Sequence, residues 1–202
     1  LPENLLKQQE REIRAVEQGT FDGGGDFGSY YAYRKGNRDL IKPHAFSDDK
    51  NADRYIMSIE RFLQSKGLSV GDSILDLGCA IGTITDALRR ANPSSVVVGL
   101  DISKDGIAVA KEKYPLCTFI CASADQPDIF KDGQFSFIHA REFYPFTRTN
   151  SKEYQLEYLK KYYPKLRKGG CILLSMAAPM KEGFTNTCYE MADSIKQIGY
   201  SD

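Results

Sequence analysis

The sequence predicts an α/β protein built on a doubly wound, mostly parallel sheet with flanking helices, and two observations predict it. From position 73 onward, apolar runs at 73–77, 95–101, 118–121, 135–140 and 171–175 alternate with helical patterns at 83–91, 104–113 and 151–166, with a short turn near Asp128. Such alternation implies parallel strands joined by crossover helices. The second observation is one stretch, Ser73-Ile74-Leu75-Asp76-Leu77-Gly78-Cys79-Ala80-Ile81-Gly82, in which an apolar strand ends in a carboxylate and two glycines precede a helix starting near Thr83. A strand, a tight turn and a helix N-terminus in that order bring backbone N–H groups close to a ligand. In doubly wound sheets that ligand lies beyond the carboxyl ends of the strands.

A chain of 202 residues suits one domain with a small appended segment. Residues 1–50 read as an N-terminal helix and a Gly/Tyr-rich cap or lid, and residues 51–202 as the sheet domain. Residues 4–18 set Leu5, Leu6, Ile13 and Val16 among charged neighbours, an amphipathic helix that Gly19 ends. Residues 20–34 carry three consecutive glycines and the aromatics Tyr30, Tyr31 and Tyr33, without the Gly-Lys-Ser/Thr of a phosphate loop. This stretch reads either as a plain surface loop or as a lid whose tyrosines close a small-molecule pocket. Ser47-Asp48-Asp49 offers an N-cap to a helix over 51–66, with Tyr55, Ile56, Ile59, Phe62 and Leu63 on its apolar face and Gly67 at its C-cap. Ser103 caps the helix at 104–113, and Lys168-Gly169-Gly170 stops the helix before the fifth strand.

Composition excludes several classes. The formal net charge is +0 and the pI about 6.9, so the chain lacks the electrostatic footprint of a nucleic-acid binder. Arg89-Arg90, Lys160-Lys161 and Arg167-Lys168 read as solvated helix faces. The five cysteines are odd in number and, with two isolated histidines, suggest neither a disulfide framework nor a metal site. Reduced thiols fit a cytoplasmic protein. No apolar run has membrane-spanning length, and the N-terminus is charged and amphipathic rather than signal-like.

The acid Asp101 ends the run Val96-Val97-Val98-Gly99-Leu100, about twenty residues past the glycine turn, where a carboxylate accepts hydrogen bonds from ribose hydroxyls. A dinucleotide site would need Gly-x-Gly-x-x-Gly, but Ala80 stands between the glycines, Thr83 occupies the last glycine's place, and Asp76 would repel a pyrophosphate. The pattern Asp-x-Gly-x-x-x-Gly instead resembles motif I of the class I S-adenosylmethionine-dependent methyltransferases, and the resemblance covers roughly residues 70–178.

The resemblance implies a Rossmann-like fold that binds S-adenosylmethionine and releases S-adenosylhomocysteine. Asp76, Gly78, Cys79, Ala80 and Gly82 would lie at the methionyl end, Asp101 and Ile102 at the ribose, and Ser123 and Ala124 at the adenine. The chain departs from the family at Ala122, where an acid often meets the adenine amino group, with Asp125 a few residues later, and at Ser136, where Asp-Gly-x-Phe-Asp would end in Asp. Phe146 stands where one branch has a histidine, and Phe143-Tyr144-Pro145-Phe146 is not the Asn/Asp-Pro-Pro-Tyr signature of nucleic-acid amino methyltransferases. Methyl transfer is positioned in-line displacement, and a base is needed only for an acceptor that sheds a proton. His139, Glu142 and Tyr144 are the base candidates; His139 equally serves as packing and Glu142 as a partner of Arg141. Tyr31 and Arg34 of the lid would line the site, where aromatic rings favour the sulfonium by cation–π attraction.

The expected acceptor is a small molecule. A nucleotide-dependent oxidoreductase and a non-catalytic nucleoside-binding regulatory module remain alternatives. The family's fold continues past a helix expected at 184–198 into a C-terminal hairpin, which this sequence lacks. The strand at 171–175 is then an exposed edge, to be covered by the N-terminal segment or by a second copy in a homodimer.

Overall fold

The computed structural model describes residues 49–143, 146, 152–175 and 199, with residues 3, 7, 10 and 11 near the start of the chain. The lid segment with Tyr31 and Arg34, Tyr144, Met176 and the helix expected at 184–198 lie outside the described residues. Of the helix expected at 4–18, only Lys7, Glu10 and Arg11 are described, and they are helical and exposed.

The described elements run α1 (Asp49–Ser65), β1 (Ser73–Leu77), α2 (Thr83–Ala91), β2 (Val96–Asp101), α3 (Lys104–Lys113), β3 (Thr118–Cys121), a 3-10 turn (Pro127–Ile129), β4 (Phe135–Arg141), α4 (Lys152–Tyr162), a second 3-10 turn (Tyr163–Lys165) and β5 (Leu166–Ser175). The strands form one sheet in the order β3-β2-β1-β4-β5, and every pairing is parallel. The order reverses between β1 and β4, so their carboxyl ends make the switch point at which such sheets bind ligands.

Alternation along the strands separates two apolar layers. Ile74, Val97 and Phe137 face Ala52, Ile56, Ile59 and Leu63 of α1 and Ala87 and Leu88 of α2. Leu75, Leu77, Val98, Leu100, Ile138 and Ala140 face the opposite layer, which holds Tyr158, Leu159 and Tyr162 of α4. Because both faces are covered, β1 is buried from Ile74 to Leu77. A smaller cluster of Cys79, Ile107, Ala110, Tyr114 and Phe119 seats α3 under the glycine turn. Ser103 caps α3, its hydroxyl accepting from Gly106 N at 3.1 Å, as the sequence predicts.

β5 differs from expectation. It begins at Leu166, and Leu166 pairs with Phe135 while Cys171 pairs with Phe137, so residues 167–170 bulge opposite Ser136 alone. Gly169 has φ +77°, and a Cβ on Gly170 would lie 2.9 Å from the Ser136 carbonyl. The glycine pair read as a helix stop is thus a bulge within a strand. Ser136 has a structural task, its Oγ donating toward the carbonyls of Val70 and Ser73, each at 2.7 Å, and accepting from Ser73 N at 3.0 Å. Among the described residues β5 is the edge of the sheet, and much of it is half-buried.

Candidate active site

Three loops at the carboxyl ends of β1, β2 and β3 are laced into one rim. Gly78 N and Cys79 N donate to the Leu100 carbonyl at 2.8 and 3.0 Å, and Ala122 N donates to the Asp101 carbonyl at 3.1 Å. Asp101 accepts from Ala80 N through Oδ2 and from Ser103 N through Oδ1, both at 2.8 Å. Burial raises the Asp101 carboxyl above the ordinary aspartate range, against the lowering effect of those backbone donors. Each oxygen keeps a second lone pair for a further donor. Ile102 beside it is half-exposed.

The glycine turn works differently from the expectation that its amides face a ligand. Gly78, Cys79, Ala80 and Gly82 all donate within the protein, Gly82 N to the Cys79 carbonyl at 2.9 Å. Gly78 and Gly82 both have φ +79°, where side chains are strained. A Cβ on Gly82 would meet Phe119 at 2.7 Å and Ala110 at 2.9 Å, so this glycine admits the packing of α3 and β3. Ala80 adopts φ 51° without being glycine, a strained residue whose amide holds Asp101. The Cys79 thiol is pushed well above its ordinary pKa by burial and by the carboxylates of Asp76 and Asp101, which keeps it protonated and unreactive.

The loop after β3 is tied to α4. Tyr162 donates to the Ala124 carbonyl at 2.9 Å, Lys161 pairs with Asp125 at 2.9 Å, and Ser123 Oγ accepts from Asp125 N at 3.1 Å. Asp125, the stand-in for the acid missing at Ala122, is therefore engaged by α4.

Asp76 and His139 meet. Opposite each other on β1 and β4, they share the sheet face of Ile74 and Phe137 and are 3% and 0% exposed. His139 Nδ1 lies 2.8 Å from Asp76 Oδ1, and Thr85 of α2 donates to Asp76 Oδ2 at 2.6 Å. His139 Nε2 lies 2.9 Å from the hydroxyl of Tyr55 on α1. A carboxylate only accepts, so Nδ1 carries the proton and Nε2 accepts from Tyr55. Burial raises the Tyr55 pKa, against the lowering effect of the neighbouring Ser175 and Arg141. Arg141 stacks on the Tyr55 ring at 4.8 Å and donates to Ser175 Oγ at 3.1 Å. Asp76 is thereby placed under the cofactor loop, its two oxygens held by Thr85 and His139, and the buried His139 meets the site through Tyr55.

At the end of β4, Glu142 has φ 49°, is exposed, and donates its N–H to the Ser175 carbonyl at 2.9 Å. That bend lays Phe143 over Gly78, where a Cβ would be 3.1 Å from its ring. Phe146 is core, packed near Phe143 with centroids 6.4 Å apart. Sequence reasoning missed Tyr55 and Ser175. The available signal was two polar residues, Asp76 and His139, on alternating positions of otherwise apolar strands, which require a polar partner on the helix above them.

A model of the methyltransferase-domain family matches residues 74–170. A trans-aconitate 2-methyltransferase of Yersinia pestis (strain Pestoides F) is 43% identical over 53 residues, 26% of this chain and 20% of that protein. The matched stretch thus spans a fifth of the length of that curated relative. The fold is shared with a SAM-dependent methyltransferase from Archaeoglobus fulgidus, at TM-score 0.60 and 16% identity over 86% of this chain and 75% of that one. It is also shared with the plantazolicin methyltransferase BpumL, solved with a desmethylPZN analog and SAH, at TM-score 0.57 and 16% identity over 98% and 76% of the two chains. Residues 74–170 thus match the methyltransferase-domain family model, and the five-stranded parallel sheet with flanking helices is a Rossmann-like fold shared with these methyltransferase structures.

Proposed function

We propose that this chain moves a methyl group from S-adenosylmethionine to a small-molecule acceptor. The observation that carries the reading is the Asp101 carboxylate, fixed by two backbone amides on the rim beside the switch point and keeping a lone pair on each oxygen for the hydroxyls of a ribose. Bound there, the cofactor supplies an already activated methyl on a sulfonium. Gly78, Cys79 and Ala80 lie at the methionyl end, Ile102 adjoins Asp101 at the ribose, and Ser123 and Ala124 border the adenine. Gly82 and Asp76 act beneath those residues, the first by admitting Phe119 and the second by holding His139. The lid role is assigned by this reading to residues 1–50, with Tyr31 and Arg34, and the base candidates remain His139, Glu142 and Tyr144.

The chain's own contribution is positioning, which supplies a large part of the barrier reduction in such transfers. A small-molecule acceptor is supported by the relatives, whose names specify trans-aconitate and plantazolicin. Calorimetry with S-adenosylhomocysteine and with NAD tests the cofactor. Binding of the first in the micromolar range is expected, and binding of NAD alone would return the site to the oxidoreductase alternative. Among the described residues no helix is long and apolar enough to cross a membrane, and no three His, Cys, Asp or Glu side chains form a metal cluster.

A further inference from the structure

Phe143 is the side chain that the bend after β4 carries into the switch point. Glu142 takes φ 49°, its N–H donates to the Ser175 carbonyl at 2.9 Å, and the next residue turns back across the end of β1. There the ring lies on Gly78, where a Cβ would meet Cδ2 at 3.1 Å and Cε2 at 3.8 Å. Tyr158 of α4 meets the ring in a T-shaped contact, with centroids 5.7 Å apart and planes at 77°, and Phe146 packs beside it at 6.4 Å. The Phe143 carbonyl accepts from Phe146 N at 3.0 Å, which closes the bend. Phe143 is therefore fixed by Gly78, Tyr158 and Phe146 and is 7% exposed, at the crevice where such sheets bind ligands. A ring laid over the first glycine of the turn borders whatever that turn receives.

We propose that Phe143 is the aromatic wall of the methyl-donor site, its ring against the sulfonium of S-adenosylmethionine. The inference rests on the methyltransferase reading, which puts the methionyl end at Gly78, Cys79 and Ala80, and adds to it the residue that senses the donor's charge. The two carboxylates of the site are committed elsewhere. Asp76 is 3% exposed, with its oxygens held by His139 and Thr85 below the turn, and Asp101 stands at the ribose. An aromatic face attracts a cation without a further buried carboxylate. The sulfonium of S-adenosylmethionine is such a cation, whereas the sulfur of S-adenosylhomocysteine is neutral. As the acceptor atom bonds to the methyl carbon, the carbon–sulfur bond breaks and its electron pair stays on sulfur, which becomes a thioether. The attraction ends there, so Phe143 holds the donor and not the product.

The test is calorimetry with S-adenosylmethionine and with S-adenosylhomocysteine, without acceptor, on wild type and two variants. One is Phe143→Leu, which keeps an apolar side chain and removes the ring. The other carries a difluorinated phenylalanine at position 143, which keeps the shape of the ring and weakens the negative charge of its face. Phe143→Leu should weaken S-adenosylmethionine about 3–30-fold, the scale of a cation–π contact. The fluorinated ring should weaken it in the same direction, by at least about two-fold. S-adenosylhomocysteine should stay near its wild-type affinity in both, so the ratio of the two affinities is the readout. A ring that only fills the core moves both ligands together. Thermal melting checks that each variant is folded, and if Phe143→Leu is not, the fluorinated ring decides alone. Equal weakening of the two ligands, a wild-type ratio in both variants, or a fall with leucine that the fluorinated ring does not share would overturn the assignment. Failure of wild type to bind S-adenosylhomocysteine would remove the methyltransferase reading, and the role of Phe143 with it.

Discussion

His139 Nδ1 stands 2.8 Å from Asp76 Oδ1 across the β1–β4 pairing, so the strands at the switch point are joined by side chains as well as by backbone. Asp76→Ala leaves the His139 N–H and the Thr85 hydroxyl buried without their acceptor. We expect a loss of about 3–5 kcal/mol, the scale for breaking a buried pair. Urea denaturation measures it, and a loss below about 1 kcal/mol would show that the two groups find other partners.

Gly82→Ala places a Cβ 2.7 Å from Phe119 at a position of φ +79°. Left-handed strain and overpacking add, and together they should cost about 2–4 kcal/mol. Thermal melting reads the change, and Phe119→Leu in the same chain should recover part of it by vacating the space.

Asp101 predicts opposite pH dependences for ligand binding and for folding. Its carboxyl is raised by burial, so its protonated form favours the fold. That contribution is full below the unfolded value of about 3.9 and is lost as pH rises through the folded value. Ribose hydroxyls instead need the carboxylate. Affinity for S-adenosylhomocysteine should therefore fall on acidification while the pH is still above the ordinary aspartate range. Calorimetry across that range checks the sign, and Asp101→Asn should flatten the dependence and weaken binding at least about ten-fold, the scale of one lost charge-assisted hydrogen bond.

Tyr162→Phe removes the tie from α4 to the Ala124 carbonyl. One such bond is worth about 1 kcal/mol, so the affinity for S-adenosylhomocysteine should drop about five-fold if the loop after β3 borders adenine. Affinity unchanged within two-fold would place the adenine elsewhere on the rim.

Much of the fold was readable because each strand carried its own signal. Ile74, Leu75 and Leu77 and the run from Val96 to Leu100 are apolar on both alternations, as strands covered on both faces must be. Ser103 announced α3 by its cap. Lys168-Gly169-Gly170 misled because a glycine pair punctuates a bulge as readily as a helix end, and only the register with Phe135 and Phe137 distinguishes them. Asp76 and His139 were visible as separate polar residues. Their contact depends on which strand lies beside β1, and no local pattern encodes that neighbour. Tyr55 was read as part of an apolar stripe, where a ring fits whether or not its hydroxyl has a partner.

β1 lies between β2 and β4, and its partner on one side is β4, encoded some sixty residues downstream. During synthesis at about 5–20 residues per second, β1 and Asp76 emerge seconds before the strand that carries His139. Until then the central strand has one open edge and an ionisable group without its imidazole. Loop closure over that distance must precede the pairing that rewards it, which makes this a slow-folding topology. A nascent chain arrested before residue 139 should accordingly be held by chaperones, and the switch point that receives the cofactor is among the last parts of the sheet to exist.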